Sequence, residues 1–102
     1  SVGLTEKEAQ DQGVSYVVAI RPFADTAYGW AMEDQKSFIK VLMDPLTRLL
    51  LGAHLIGPQS PSLIQQLIQG MSLGQTVDEM AKSQLYIHPA LPEVIEQALL
   101  EF

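Results

Sequence analysis

Cysteine is missing from the 102 residues, which excludes a disulfide framework, a thiolate metal site and any thiol redox step carried out by this chain alone. Basic residues are scarce: six Lys and Arg stand against twelve Asp and Glu, a net charge of −6. Neither nucleic acid nor an anionic membrane surface would be drawn to such a chain. Long apolar runs are lacking as well. The longest, Leu49 to Leu51 with Ala53 to Gly57, fall well short of the ~20 residues of a membrane span, and no basic region followed by an apolar one opens the chain. A cytoplasmic protein with no membrane partner is the expectation. The seven glycines never fall into a dinucleotide-binding spacing or a phosphate loop, so no cofactor site is expected within this chain. Two isolated histidines without cysteine do not make a metal set. Ser60, Ser62 and Ser83 lack the strand, elbow and base that a nucleophilic serine requires.

Nearly half of the residues, 47%, are hydrophobic, and the length suits a single domain over residues 1–102 with one core. Thr5-Glu6-Lys7-Glu8 is a capping box that opens a short helix to about Gln12, with Gly13 ending it. Val14 to Phe23 is rich in Val, Ile and Tyr and reads as a strand; Arg21-Pro22 closes it, with Arg21 the expected end, because proline removes a ladder donor. From Ala24 to Gln35 the pattern is weak and fits either a loop with a helical turn or an irregular strand. Trp30, a single aromatic with no partner for a cage, reads as a packing or interface anchor.

Ser37 to Met43 and Leu49 to Gly57 are β-rich runs joined by the turn residues Asp44-Pro45-Leu46-Thr47-Arg48, the pattern of a hairpin. Gly52 inside the second run implies a bulge or a close approach by another backbone. His54 is read as a hydrogen-bonded structural residue. Pro58 breaks the strand, and Ser60-Pro61 starts a helix whose stripe is Leu63, Ile64, Leu67, Ile68 and Met71, ended by Gly74. Gly70, in the last turn of that helix, suggests a tightly packed neighbour. Thr76-Val77-Asp78-Glu79 repeats the capping box for a helix to about Lys82. The last helix carries Val94, Ile95, Ala98, Leu99 and Phe102 on one side, with Glu93, Glu96, Gln97 and Glu101 elsewhere. A hairpin plus helices on a mostly antiparallel sheet is an α+β arrangement.

Between the last two helices lies Leu85-Tyr86-Ile87-His88-Pro89-Ala90-Leu91-Pro92-Glu93. His88 is the group able to titrate near neutral pH in a setting that could aim it. Pro89 pushes it towards an extended backbone, and Pro92 suits a first-turn helix position that sets Glu93 beside unpaired N–H groups and the positive end of the helix dipole. If the loop folds back so that Glu93 reaches one ring nitrogen, the pair is an acid/base dyad with the other nitrogen free to exchange protons. The alternative is a histidine that caps or packs.

Three stretches, Ser1-Val2-Gly3-Leu4-Thr5-Glu6, Leu51-Gly52-Ala53-His54-Leu55-Ile56-Gly57-Pro58 and Ile87-His88-Pro89-Ala90-Leu91-Pro92-Glu93, occur in an order and at separations that resemble the C-terminal dimerisation domain of the flavin-dependent pyridine nucleotide-disulfide oxidoreductases. The last stretch is similar to the form found in mycothione reductases; dihydrolipoamide dehydrogenases more usually carry Thr and Ser in place of Ala90 and Pro92. The resemblance covers nearly the whole chain and implies a piece of a longer enzyme, with Ser1-Val2-Gly3 as the tail of a strand that begins upstream. In such enzymes electrons pass from NAD(P)H through FAD and a cysteine pair to a small-molecule disulfide, on FAD- and NAD(P)-binding domains outside this chain. The resemblance further implies a homodimer in which His88 reaches the partner subunit's active site as acid/base and Glu93 orients it, with a His88-Pro89 bond that is commonly cis. The isolated chain would then be inactive. The other reading is a non-catalytic protein-interaction module.

Overall fold

The computed structural model describes residues 1–23, 36–83, 86 and 92–102. Its centre is the expected hairpin, β3 (Phe38–Met43) paired antiparallel with β4 (Leu50–Ile56). The turn is built by Asp44, whose Oδ1 accepts from the N–H groups of Leu46 (2.8 Å) and Thr47 (3.3 Å). Its carbonyl accepts from Arg48 N–H at 2.8 Å. An Asp at the first turn position does this because its short side chain mimics the backbone of a turn.

Strands β1 (Val2–Gly3) and β2 (Val17–Pro22) flank the hairpin, giving the order β1-β4-β3-β2 with every pair antiparallel. The bulge and the close approach expected at Gly52 both occur. Leu42 faces Gly52 but Met43 faces Leu50, so Leu51 is the extra residue. A Cβ on Gly52 would lie 2.0 Å from the carbonyl oxygen of Leu4.

Two boundaries of β2 differ from the sequence reading. Val14 closes the preceding helix instead of opening the strand, its N–H donating to the Ala9 carbonyl at 2.9 Å. Pro22 belongs to the strand, because β2 is an edge of the described sheet. The next N–H, that of Phe23, points inward to Ser37 O at 2.9 Å, so the proline nitrogen faces outward and no ladder bond is lost.

Helix α1 (Glu6–Asp11) has the expected capping box: Thr5 Oγ1 accepts from Glu8 N–H at 3.1 Å and Glu8 Oε1 from Thr5 N–H at 3.2 Å. Helix α2 (Ser60–Ser72) starts where expected. Its cap is Gln59 in a left-handed conformation, and Ser60 Oγ donates back to Gly57 O at 2.7 Å. Gly74, at φ 69°, ends it, with Gln75 N–H donating to Gly70 O and Gly74 N–H to Met71 O, the paired bonds of a glycine C-terminal motif. Helix α3 (Val77–Lys82) opens with the second capping box, on Thr76 and Glu79. Helix α4 (Glu93–Leu100) is the last.

One face of the sheet holds the core. Ile39, Val41 and Met43 of β3 and Ala53 and Leu55 of β4 pack with Leu63 and Leu67 of α2, Val77 and Met80 of α3, and Val94, Ile95, Ala98 and Leu99 of α4 in one contiguous cluster. Gly70 has the tight neighbour that its position suggested, since a Cβ there would fall 2.2 Å from Met80 Sδ. On the opposite face an ion pair between Lys40 and Glu6 holds α1 over the sheet, and Ala9 and Leu42 are fully buried. Val18, Ile20 and Ile56 on that face are exposed. The α+β class is thus observed.

Candidate functional site

The site is anchored by the start of α4, a helix whose apolar residues Val94, Ile95, Ala98 and Leu99 are all buried. Pro92 is the capping residue itself and Glu93 the first helical residue. Glu93 is only 4% exposed. Its own helical periodicity had grouped it with Glu96, Gln97 and Glu101, but a wheel sees one helix only, and burial of a first turn depends on what else packs there. Among the described residues it is the one carboxylate in the buried class. A carboxylate in that position needs partners to offset desolvation, and Glu93 has one.

Helix α4 is held in place from two sides. Arg21 of β2 donates from Nη2 to Gln97 Oε1 at 2.9 Å and lies 3.7 Å from Glu101 Oε1. Arg48 forms a fork with Asp78 of α3 (Nε to Oδ2 2.6 Å, Nη2 to Oδ1 3.1 Å), and its Nη2 also donates to the Phe102 carbonyl at 3.1 Å. The hydrogen bonds from Arg48 hold the Asp78 carboxyl below its ordinary value, and the positive charges of Arg48 and Lys82 act in the same sense.

Tyr86 is 6% exposed and part of the core cluster. Its hydroxyl donates to the Met80 carbonyl at 2.9 Å and accepts from Gln66 Nε2 at 2.6 Å. The sequence reading passed over both Tyr86 and Gln66. The available signal was a hydroxyl-bearing aromatic two residues before the histidine, and nothing in the spacing named its partners.

His88 and Pro89 lie outside the described residues, as do Ala90, Leu91, Trp30 and the stretch 24–35. His54 has the structural role expected: Nε2 is 2.9 Å from Leu4 O, and because a carbonyl only accepts, that nitrogen carries the proton. The bond fastens the link between β1 and α1 to β4. A polar cleft of about 150 Å³ between α2 and α3 is lined by Gln66, Gln69, Gly70, Gln75, Glu79 and Ser83. Among the described residues no three His, Asp or Glu side chains converge as a metal set, and no helix is long and apolar enough to cross a membrane.

Residues 1–99 match the family model of the pyridine nucleotide-disulphide oxidoreductase dimerisation domain. The chain belongs to this family. It is 53% identical over 100 residues to mycothione reductase of Mycobacterium tuberculosis, covering 98% of this chain and 22% of that protein. To the dihydrolipoyl dehydrogenase of Rhizobium etli it is 34% identical over 101 residues, covering 99% of this chain and 21% of the other. Among solved structures it superposes on the HOCl-induced flavoprotein disulfide reductase RclA of Escherichia coli with a TM-score of 0.87 at 26% identity, covering 96% of this chain and 22% of that one. LpdA of M. tuberculosis, at 22% identity and a TM-score of 0.90 over 98% of this chain and 22% of its own, shares the fold. The chain therefore spans about a fifth of the length of these relatives.

All strand pairs among the described residues are antiparallel, whereas a dinucleotide crevice is made where parallel βαβ units present a glycine-rich turn and a helix N-terminus.

Proposed function

We propose that this chain is the C-terminal dimerisation domain of an FAD-dependent NAD(P)H:disulfide oxidoreductase that works as a homodimer, and that His88 and Glu93 supply an acid/base pair to the partner subunit's active site. The observation that carries the reading is the buried carboxylate of Glu93 at the first residue of α4, five positions after His88, in a chain of the dimerisation-domain family. His88 accepts the proton of a thiol as it attacks a small-molecule disulfide and returns a proton to the sulfur that departs. Glu93 orients the imidazole and fixes its tautomer, as carboxylates behind working histidines do. FAD, NAD(P)H and the reacting sulfurs belong to other domains of the parent enzyme, since this chain has no cysteine. The chain alone is therefore inactive, and the parent is cytoplasmic.

A purely dimerising module is the second reading, favoured by the exposed apolar side chains Val17, Val18 and Ile20 on the β2 edge. The full-length enzyme separates the two. His88→Gln should lower disulfide turnover by about 10²–10⁴-fold, the usual size of an acid/base contribution, while flavin reduction by NAD(P)H continues at its normal rate. Glu93→Gln should cost less, because the proton carrier remains. Survival of both half-reactions within a few-fold in His88→Gln removes the catalytic role and leaves the dimerising one.

A further inference from the structure

We infer that Arg48 is a strained clasp: a left-handed residue in the hairpin turn that fastens the start of α3 and the end of α4 to that turn, so that the three places open together as one unit ahead of the sheet. The acid/base reading given above plays no part in this inference.

The backbone carries the strain. Arg48 has φ 60°, a left-handed conformation that L side chains rarely adopt. The hairpin requires it there. Its loop closes with Arg48 N–H on Asp44 O at 2.8 Å and Asp44 N–H on Leu49 O at 2.9 Å, and hairpin loops built around a tight turn commonly end on one left-handed residue, which is glycine by default. An arginine in that place is held at a cost, and a strained residue persists only where the surrounding structure fixes it.

The side chain reaches two helices. Nε and Nη2 form the fork with Asp78, in the first turn of α3, and Nη2 also donates to the Phe102 carbonyl just past α4 at 3.1 Å. The main chain of the same residue reaches α3 as well. Its carbonyl accepts from the Val77 N–H at 2.8 Å, one of the first N–H groups of that helix, which have no partner within it. Beside it Leu49 and Thr76 form an isolated bridge. Turning Arg48 out of the left-handed region would swing carbonyl and guanidinium away at once, so the contacts with α3 and α4 are lost together. The fork is open to water, with side chains 37% and 46% exposed, which sets this corner at the low-stability end of the domain. Ile39 and Val41 of β3, by contrast, have no exposed surface.

The test is hydrogen exchange by mass spectrometry on the full-length enzyme, read in peptides spanning 44–50, 76–82 and 96–102, with 38–43 as the reference. Arg48→Met keeps the strain and removes the guanidinium. Exchange should rise about tenfold in the first three peptides, the effect of losing roughly one net hydrogen bond, with 38–43 unchanged. Arg48→Gly removes strain and guanidinium together. The turn and the start of α3 should then exchange at the unsubstituted rate, because the relaxed backbone still offers its carbonyl to Val77, while 96–102 remains about tenfold faster.

Unchanged exchange of 96–102 in both variants, or a rise in 38–43 equal to that of the other peptides, would overturn the inference. So would Arg48→Gly matching Arg48→Met in 76–82, since strain would then have no share in the coupling. Each of these results leaves the roles proposed for His88 and Glu93 untouched.

Discussion

Gly52→Ala tests the physical reasoning behind the fold most directly, because the added methyl meets backbone. The new Cβ would sit 2.0 Å from Leu4 O and 2.9 Å from the Leu4 carbonyl carbon and nitrogen, whereas a carbon–oxygen contact settles near ~3.3 Å. The Leu4 carbonyl must retreat by about 1.3 Å on that comparison, and two bonds depend on where it is. One is the His54 Nε2 contact at 2.9 Å, the other the Leu4 N–H to Leu51 O bond at 2.9 Å. Each is worth about 1 kcal/mol net, so the expected loss is about 2–3 kcal/mol, within the range for overpacking. For a chain of this size 2 kcal/mol corresponds to a fall of about 10 °C in Tm. Gly13→Ala is the control: φ is 68° and nothing lies within 4 Å of its Cβ, so only the left-handed backbone is penalised, by about 1 kcal/mol. Thermal melts followed by far-UV circular dichroism should rank Gly52→Ala clearly below Gly13→Ala and both below the parent. Equal Tm values for the two variants, or Gly52→Ala within 2 °C of the parent, would refute the argument that backbone proximity fixes this position.

Asp78→Asn should reduce stability at pH 7, with the gap to the parent closing in urea melts as pH falls below the ordinary carboxylate value of 3.8. The folded value is depressed, so the Arg48 contribution is complete above that pH and is lost as pH drops through the lowered value. Glu6, lowered chiefly by its hydrogen bond to Lys40 and next by that to Tyr16, titrates alike in both proteins and cancels from the difference; a gap that stays constant down to pH 2 contradicts the assignment. Ile95→Ala, at a residue with no exposed surface, should cost about 2–5 kcal/mol, while Leu100→Ala, at 52% exposed on the same helix, should cost less than about 1 kcal/mol; similar losses in denaturant melts would show that α4 is not docked as described.

Much of the fold was legible because the decisive interactions are local. Thr5 with Glu8 and Thr76 with Glu79 are three residues apart, and Asp44 builds its turn within four. The hairpin likewise needed only two β-rich runs and the turn between them. Gly52 and Gly70 announced crowding, and the partners, Leu4 and Met80, came only with the structure, since they are distant in sequence. The start of β2 was misplaced because Val14 has the composition of a strand residue but its N–H is taken by the end of α1. The site was less legible. Its titratable pair could be nominated from proline chemistry and a helix start, yet the burial of Glu93 depends on tertiary packing around the first turn of α4, and the Tyr86 anchor depends on a glutamine twenty residues away.

Burial of Glu93 is hard to explain as a stabilising feature. Taking a carboxylate out of water costs several kcal/mol before partners offset it, and apolar replacements of buried charges are often neutral or better for stability. A domain of this length has about 5–15 kcal/mol in total, so a cost of that size is a large fraction of what holds the chain together. The surrounding structure carries it through apolar contacts elsewhere in α4, where Val94, Ile95 and Ala98 are fully buried, and through the Arg21 and Arg48 ties that fix the helix to β2 and to α3. Under the function proposed above, the group that a carboxylate at this helix start would orient is the imidazole of His88, five residues upstream.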